Sequence, residues 1–116
     1  SFLSNQELHH AIVDVLEEKK GEDILLLDLR EVAEFCDYFV ICNGTSDRML
    51  EALGDDLVRK IRQTHKIKGE LEGRGRDGWL LIDYGQVIVH IFSPDQRDFY
   101  ALEDLWEEGK PLVHIQ

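Results

Sequence analysis

The stretch WLLIDYGQVIVHIF, from Trp79 to Phe92, holds two apolar runs separated by Gly85 and Gln86. A two-residue loop with glycine first fits a type II′ turn, whose twist matches that of the strands it joins. The register follows: Tyr84 faces Val87, Asp83 faces Ile88, Ile82 faces Val89, Leu81 faces His90, Leu80 faces Ile91 and Trp79 faces Phe92. Because strand side chains alternate, the hairpin sorts into two surfaces. Leu80, Ile82, Tyr84, Val87, Val89 and Ile91 make an ordinary core surface. Trp79, Leu81, Asp83, Ile88, His90 and Phe92 make a mixed one, in which an acid and an imidazole sit among apolar groups.

Asp83 and His90 are diagonal neighbours in this register, close enough to expect a hydrogen bond that fixes the imidazole tautomer or raises its proton affinity. Three readings of the mixed surface follow. It is sealed by a last helix carrying Phe99, Leu102, Leu105 and Trp106, or it binds a partner through apolar anchors, or it holds an acid–base pair. The third lacks a nucleophile, since no serine or cysteine sits in a G-x-S-x-G setting.

Outward from the hairpin, Ser4 and Glu7 form a capping box, and Leu8, Ala11, Ile12, Val15 and Leu16 then recur at helical spacing until Lys19, Lys20 and Gly21. ILLLDL from Ile24 and DYFVICNG from Asp37 are nearly continuous apolar runs, as expected of strands covered on both faces. Thr45 or Ser46 caps a second helix whose buried stripe is Met49, Leu53, Leu57 and Ile61, with Leu50 and Val58 alongside. Gly54 within it suggests close packing against a strand. HKIKGELEGRGRDG, residues 65–78, predicts a short edge strand near Lys68 to Glu72 followed by a mobile loop. Ser93, Pro94 and Gln96 open a last helix that runs to about Glu108, where Gly109 and Pro111 stop it. The expected architecture is one α/β domain over residues 1–116, a mixed sheet of about five strands flanked by helices.

The chain has 116 residues, and 24 acidic residues against 13 Lys and Arg give a net charge of -11. That charge repels phosphate backbones unless positive charge is locally concentrated, so little direct nucleic-acid contact is expected and a basic protein partner is favoured. No apolar run approaches the roughly 20 residues of a membrane helix, and the opening residues lack a secretory pattern, so a cytoplasmic protein is expected. Cys36 and Cys42 lie about 20 Å apart along an extended chain, too far for a disulfide. The five histidines show no i, i+4 pairing or H-E-x-x-H spacing, so no metal site or other cofactor is expected.

Gly44-Thr45-Ser46 offers free N–H groups at a helix start, as phosphate-binding turns do. A nucleotidyltransferase, the nearest enzymatic match, needs paired carboxylates after that turn to neutralise two metal ions. Asp47 is followed instead by Arg48, Met49 and Leu50, which leaves Asp83 as a lone further acid.

DYFVICNGTSDR, the Glu72-Gly73 pair, WLLIDYGQVIVHIF and RDFYALEDLW, in order from Asp37 to Trp106, together resemble the Iojap-related ribosomal silencing factors. The resemblance implies a fold similar to nucleotidyltransferases without their catalytic acids, and a non-catalytic protein. It implies binding to a basic protein of the large ribosomal subunit at the inter-subunit face, which blocks subunit joining and represses translation, and a homodimer when free. At the family's characteristic positions stand Asp37, Gly44, Thr45, Ser46 and Arg48, then Trp79, Asp83, Tyr84, Gly85, His90, Arg97, Tyr100, Glu103 and Trp106. Met49 replaces the family's usual histidine, and Gln86 the acid common after the turn glycine. With the resemblance, the mixed surface of Trp79, Leu81, Asp83, Ile88, His90 and Phe92 becomes the favoured docking site.

Overall fold

A computed structural model of the chain describes residues 7–100 and 110–116. Helix α1 (Leu8–Glu18) is followed by strands β1 (Glu22–Asp28) and β2 (Tyr38–Asn43), the long helix α2 (Asp47–His65), and strands β3 (Glu70–Arg74), β4 (Trp79–Asp83) and β5 (Val87–Phe92). Helix α3 (Pro94–Tyr100) and strand β6 (Lys110–Ile115) close the described chain. The strands form one sheet in the order β3-β4-β5-β2-β1-β6. Among the described strands only the β2–β5 pair is parallel. The sheet has six strands rather than about five. The strand missed is β6, because Pro111 reads as a terminator; on the sheet's edge its missing N–H costs little, and the ladder shifts register beside it.

Hairpin pairing is as the alternation predicts, from Trp79 opposite Phe92 to Asp83 opposite Ile88. Gly85 takes φ +85°, the left-handed region that the first turn position requires. The α2 cap is Ser46, whose Oγ accepts from the Met49 N–H at 3.1 Å, with Asp47 in the first turn. A Cβ on Gly54 would lie 3.1 Å from Leu80 Cδ1, so this glycine lets α2 approach β4 closely. The edge strand falls at Glu70–Arg74, two residues later than expected. Residues Gly75–Asp77 form one 3-10 turn, tied to α2 where the Gly75 N–H donates to Glu51 Oε1 at 3.1 Å. The capping-box Ser4 lies outside the described residues; Glu7 precedes α1 with no side-chain cap bond. The expected continuation of α3 to Glu108, with Glu103 and Trp106, also falls outside them.

Each face of the sheet has its own core, which is why β1 and β2 read as unbroken apolar runs. Both α1 and α2 cover the first face, burying Ile24, Leu26, Val40, Leu80, Ile82, Val89 and Ile91. Against the second face lies the β1–β2 connection, with Leu29 and Cys36 buried on Leu25, Leu27, Phe39, Ile41 and Phe92. Both cysteines are free and buried, and burial pushes the thiols up, Cys36 to about 11 and Cys42 to about 12.

Arg97 of α3, 5 % exposed, ties together segments far apart in sequence. Its Nη1 donates to the Asp23 carbonyl and, at 3.0 Å, to Asn43 Oδ1, and lies 3.4 Å from the Asp23 carboxylate. The other Asp23 oxygen lies 2.7 Å from His114 Nε2, so β6 joins the same node. Asp23 itself sits at φ 50°, beside the irregularity in the β1–β2 ladder. An Arg97→Met substitution keeps the apolar stem but leaves a part-buried carbonyl and a part-buried amide oxygen without this donor. Unfolding by denaturant should show a loss of about 2–4 kcal/mol, and an unchanged midpoint would show that the node contributes nothing.

Candidate partner-binding site

The structure divides the six residues of the mixed hairpin surface. His90 and Phe92 are buried, at 5 % and 0 % exposure, and belong to the core of the second face. Trp79, Leu81 and Ile88 are half-buried, and Asp83 is exposed. Only the last four present surface to a partner.

The expected Asp83–His90 bond does not form. Asp83 Oδ1 instead accepts from the N–H of Gly85, two residues on, at 2.7 Å. That local bond orders almost no extra chain, so it outcompetes a cross-strand partner. His90 is held by another diagonal neighbour: the Trp79 indole Nε1–H donates to its Nδ1 at 3.2 Å. Since indole nitrogen only donates, Nδ1 carries the lone pair and the ring proton sits on Nε2. Among the described residues the buried Nε2 has no hydrogen-bond partner. The ring lies edge-on to Phe39 at 4.8 Å between centroids and parallel to Phe92 at 5.9 Å. Burial, with no carboxylate to oppose it, pushes the imidazole down to about 4, so its proton affinity falls rather than rises.

Cross-strand partners share a face, so register shows what surrounds the half-buried strip. Glu72 on β3 is paired with Leu81, and Glu70 with Asp83. All three acids are exposed. Two carboxylates directly opposite each other on neighbouring strands repel, and no cation among the described residues forms an ion pair with either. At the foot of the strip Asp37 and Asp83 both add negative potential at the Cys36 thiol, behind the larger effect of its burial. Phe35, 57 % exposed, stands on the same β1–β2 connection. The result is an apolar strip of Trp79, Leu81 and Ile88 bordered by carboxylates.

The remaining motif residues are structural in their contacts. Gly44 donates its N–H to the Phe92 carbonyl at 2.9 Å, and an added Cβ would collide with Leu50. Exposed Thr45 turns its N–H and hydroxyl toward Met49 Sδ, at 3.4 and 3.3 Å, while Ser46 caps Met49. The turn thus uses two of its donor groups on its own helix. Arg48 is exposed. Buried Tyr84 packs in the first core with its hydroxyl unpartnered, and burial pushes that phenol up. Tyr100 ends α3. Sequence reasoning missed Glu70 and Glu72 as members of the surface; their i, i+2 spacing on a strand beside the hairpin is the signal that finds them. Among the described residues no group of three or more His, Cys, Asp or Glu is placed to hold a metal ion, and no helix is long and apolar enough to cross a membrane.

His90 gives this site a pH signature. Its folded value of about 4 lies below the unfolded 6.5, so between those values the unfolded chain binds the extra proton. The stabilisation is complete above pH 6.5 and is lost as pH falls toward 4. Replacing His90 by Phe keeps an aromatic ring and removes the titration. From pH 7 to pH 4.5 the natural chain should lose about 2–3 kcal/mol more unfolding free energy than His90→Phe does; parallel pH profiles would refute a neutral buried imidazole.

Comparison with known proteins agrees with this architecture. The family described as ribosomal silencing factor during starvation matches residues 3–116. The ribosomal silencing factor of Halalkalibacterium halodurans is 36 % identical over 115 residues, covering 98 % of this chain and 97 % of that protein. A mouse protein named mitochondrial assembly of ribosomal large subunit protein 1 is 35 % identical over 100 residues, covering 82 % of this chain and 43 % of its own length. A crystal structure of a Chromobacterium violaceum protein superposes with a TM-score of 0.78 at 30 % identity, covering 90 % of this chain and 88 % of that one. A match along nearly the whole chain, with a similar fold in a solved structure, establishes that this chain belongs to the ribosomal silencing factor family.

Proposed function

We propose that the chain docks on a basic protein of the large ribosomal subunit, at the face that meets the small subunit, and represses translation by keeping the subunits apart. The observation that carries this reading is the unrelieved pair of carboxylates, Glu70 opposite Asp83, beside the half-buried Leu81 and Ile88. A lysine or arginine from a partner relieves that repulsion, while an apolar group from the same partner covers the strip. The family name supports the ribosome as target, and the mouse relative's name supports its large subunit. The protein acts in the cytoplasm as a regulator, without catalysis or cofactor. When free it forms a homodimer that shields part of the same strip, so dimer and ribosome compete for it.

Two substitutions separate the apolar and electrostatic contributions. Leu81→Ala should weaken co-sedimentation with purified large subunits about ten- to a hundredfold, the range for losing a central apolar anchor. Asp83→Asn keeps an oxygen for the Gly85 N–H and removes only the charge; it should weaken binding less and flatten its salt dependence. If both variants sediment with large subunits as the natural chain does, this surface is not the docking site.

A further inference from the structure

The net charge of -11 conceals a strongly positive segment. RKIRQTHKIK, residues 59–68, contains Arg59, Lys60, Arg62, Lys66 and Lys68, five of the chain's thirteen Lys and Arg, with no Asp or Glu among them. It forms the last two turns of α2 and the connection to β3. Arg59, Arg62, Lys66 and Lys68 are exposed, and Lys60 is half-buried. Arg59 is paired with Asp56 at 2.8 Å. Among the described residues no carboxylate lies within ion-pair distance of Lys60, Arg62, Lys66 or Lys68.

These charges border a concavity. Arg59, Arg62, Gln63 and Lys66 recur at the spacing of one helix face and, with Val58, Asp55 and Leu71 of β3, line an open groove of about 680 Å³. Its apolar floor is Val58 and Leu71, the latter 40 % exposed. Leu71 lies between Glu70 and Glu72 in sequence, so it points to the opposite face of the sheet from them. The cationic groove and the acid-bordered strip therefore lie on either side of the same edge strand.

Helix electrostatics account for part of this pattern. Cations in the last turn suit the negative end of the α2 dipole, which explains Arg62 and His65. They do not explain Lys68 beyond the helix, nor the exclusion of every acid over ten residues in a chain where acids outnumber cations.

We propose that this groove is a phosphate-backbone site, taking a strand of RNA that lies beside the basic protein held by the opposite side of β3. The choice of RNA over other polyanions rests on the ribosome-docking reading. The site reads no sequence, since exposed Lys and Arg position a phosphate chain without touching base edges. Arg59 to Lys66 spans about 10 Å of helix, close to the axial rise of three nucleotides. Val58 and Leu71 give the sugars an apolar surface. Contact on both sides of one edge strand fixes orientation as well as affinity.

The test uses the full chain and the double variant Arg62→Glu/Lys66→Glu, both substitutions on exposed side chains, with Arg62→Gln/Lys66→Gln as a milder pair. The probe is a labelled single-stranded RNA of about 20 nucleotides, read by fluorescence anisotropy at several salt concentrations near 50 mM. The natural chain should bind weakly, and the charge reversal should weaken binding at least about ten-fold and lower the slope of log K against log salt by about 1.4, the counterions of two contacts. The Gln pair should fall between them. Leu81→Ala should bind this RNA as the natural chain does while losing large subunits. If large subunits fail to bind but RNA binding still depends on Arg62 and Lys66, the docking reading falls and the groove assignment stands. Equal RNA binding by the natural chain and the reversed variant overturns the assignment, as does an absence of RNA binding by the natural chain. Displacement of the RNA by polyglutamate at equal charge concentration also overturns it, in favour of an acidic protein segment.

Discussion

The parallel pairing of β2 with β5 is the constraint from which the rest of the architecture follows. Adjacent antiparallel strands can be joined by a tight turn, but a parallel pair requires the chain to cross back over the sheet. Here that crossing contains α2, and it also carries β3 and β4 before β5 enters the sheet. The crossing helix α2 buries the same face as α1, which precedes β1. The opposite face is left to shorter elements: Leu29 and Cys36 of the β1–β2 connection cover its β1 and β2 side. Farther along the sheet, Leu81 of β4 and Ile88 of β5 stay half-buried on this face. The half-buried apolar surface here is thus a consequence of topology before it is one of residue choice.

His90 shows how the second core tolerates a polar ring at that boundary. Its Nδ1 is satisfied by the Trp79 indole, so the two rings form one hydrogen-bonded aromatic unit with Phe92 and Phe39 around it. The price is the buried Nε2 without a partner among the described residues. Trp79 is consequently less an independent anchor than the outer part of a packed layer. Truncating it would strip the acceptor of its donor and open a cavity, so Leu81 is the cleaner probe of the surface.

The hairpin and its two faces were legible because alternation and a glycine turn constrain register jointly. Every predicted pair from Trp79 to Asp83 is found. Readings that depended on competition between partners were not legible. Asp83 and Trp79 are both diagonal to His90 in that register, and only the local claim of the Gly85 N–H on Asp83 decides between them. The Arg97 node was invisible for a different reason. It joins Asp23, Asn43 and His114, whose separations in sequence carry no periodicity, and Arg97 entered only through the family resemblance. Strand β6 was lost to Pro111, a residue that forbids a central strand but not an edge one.

Net charge describes the chain as a whole and not how its charges are distributed. An overall -11 argues for solubility and against phosphate, yet a Debye length near 8 Å means that surface charges act over their own neighbourhood rather than over the whole molecule. Strand β3 separates two such neighbourhoods, with Glu70 and Glu72 turned to one face and Leu71, beside Arg62 and Lys66, turned to the other. A uniformly acidic protein would approach a basic surface in any orientation and be repelled by any nucleic acid. A chain with opposite signs across one edge strand gains a preferred approach: where a basic protein adjoins RNA, only one orientation satisfies both sides of β3 at once.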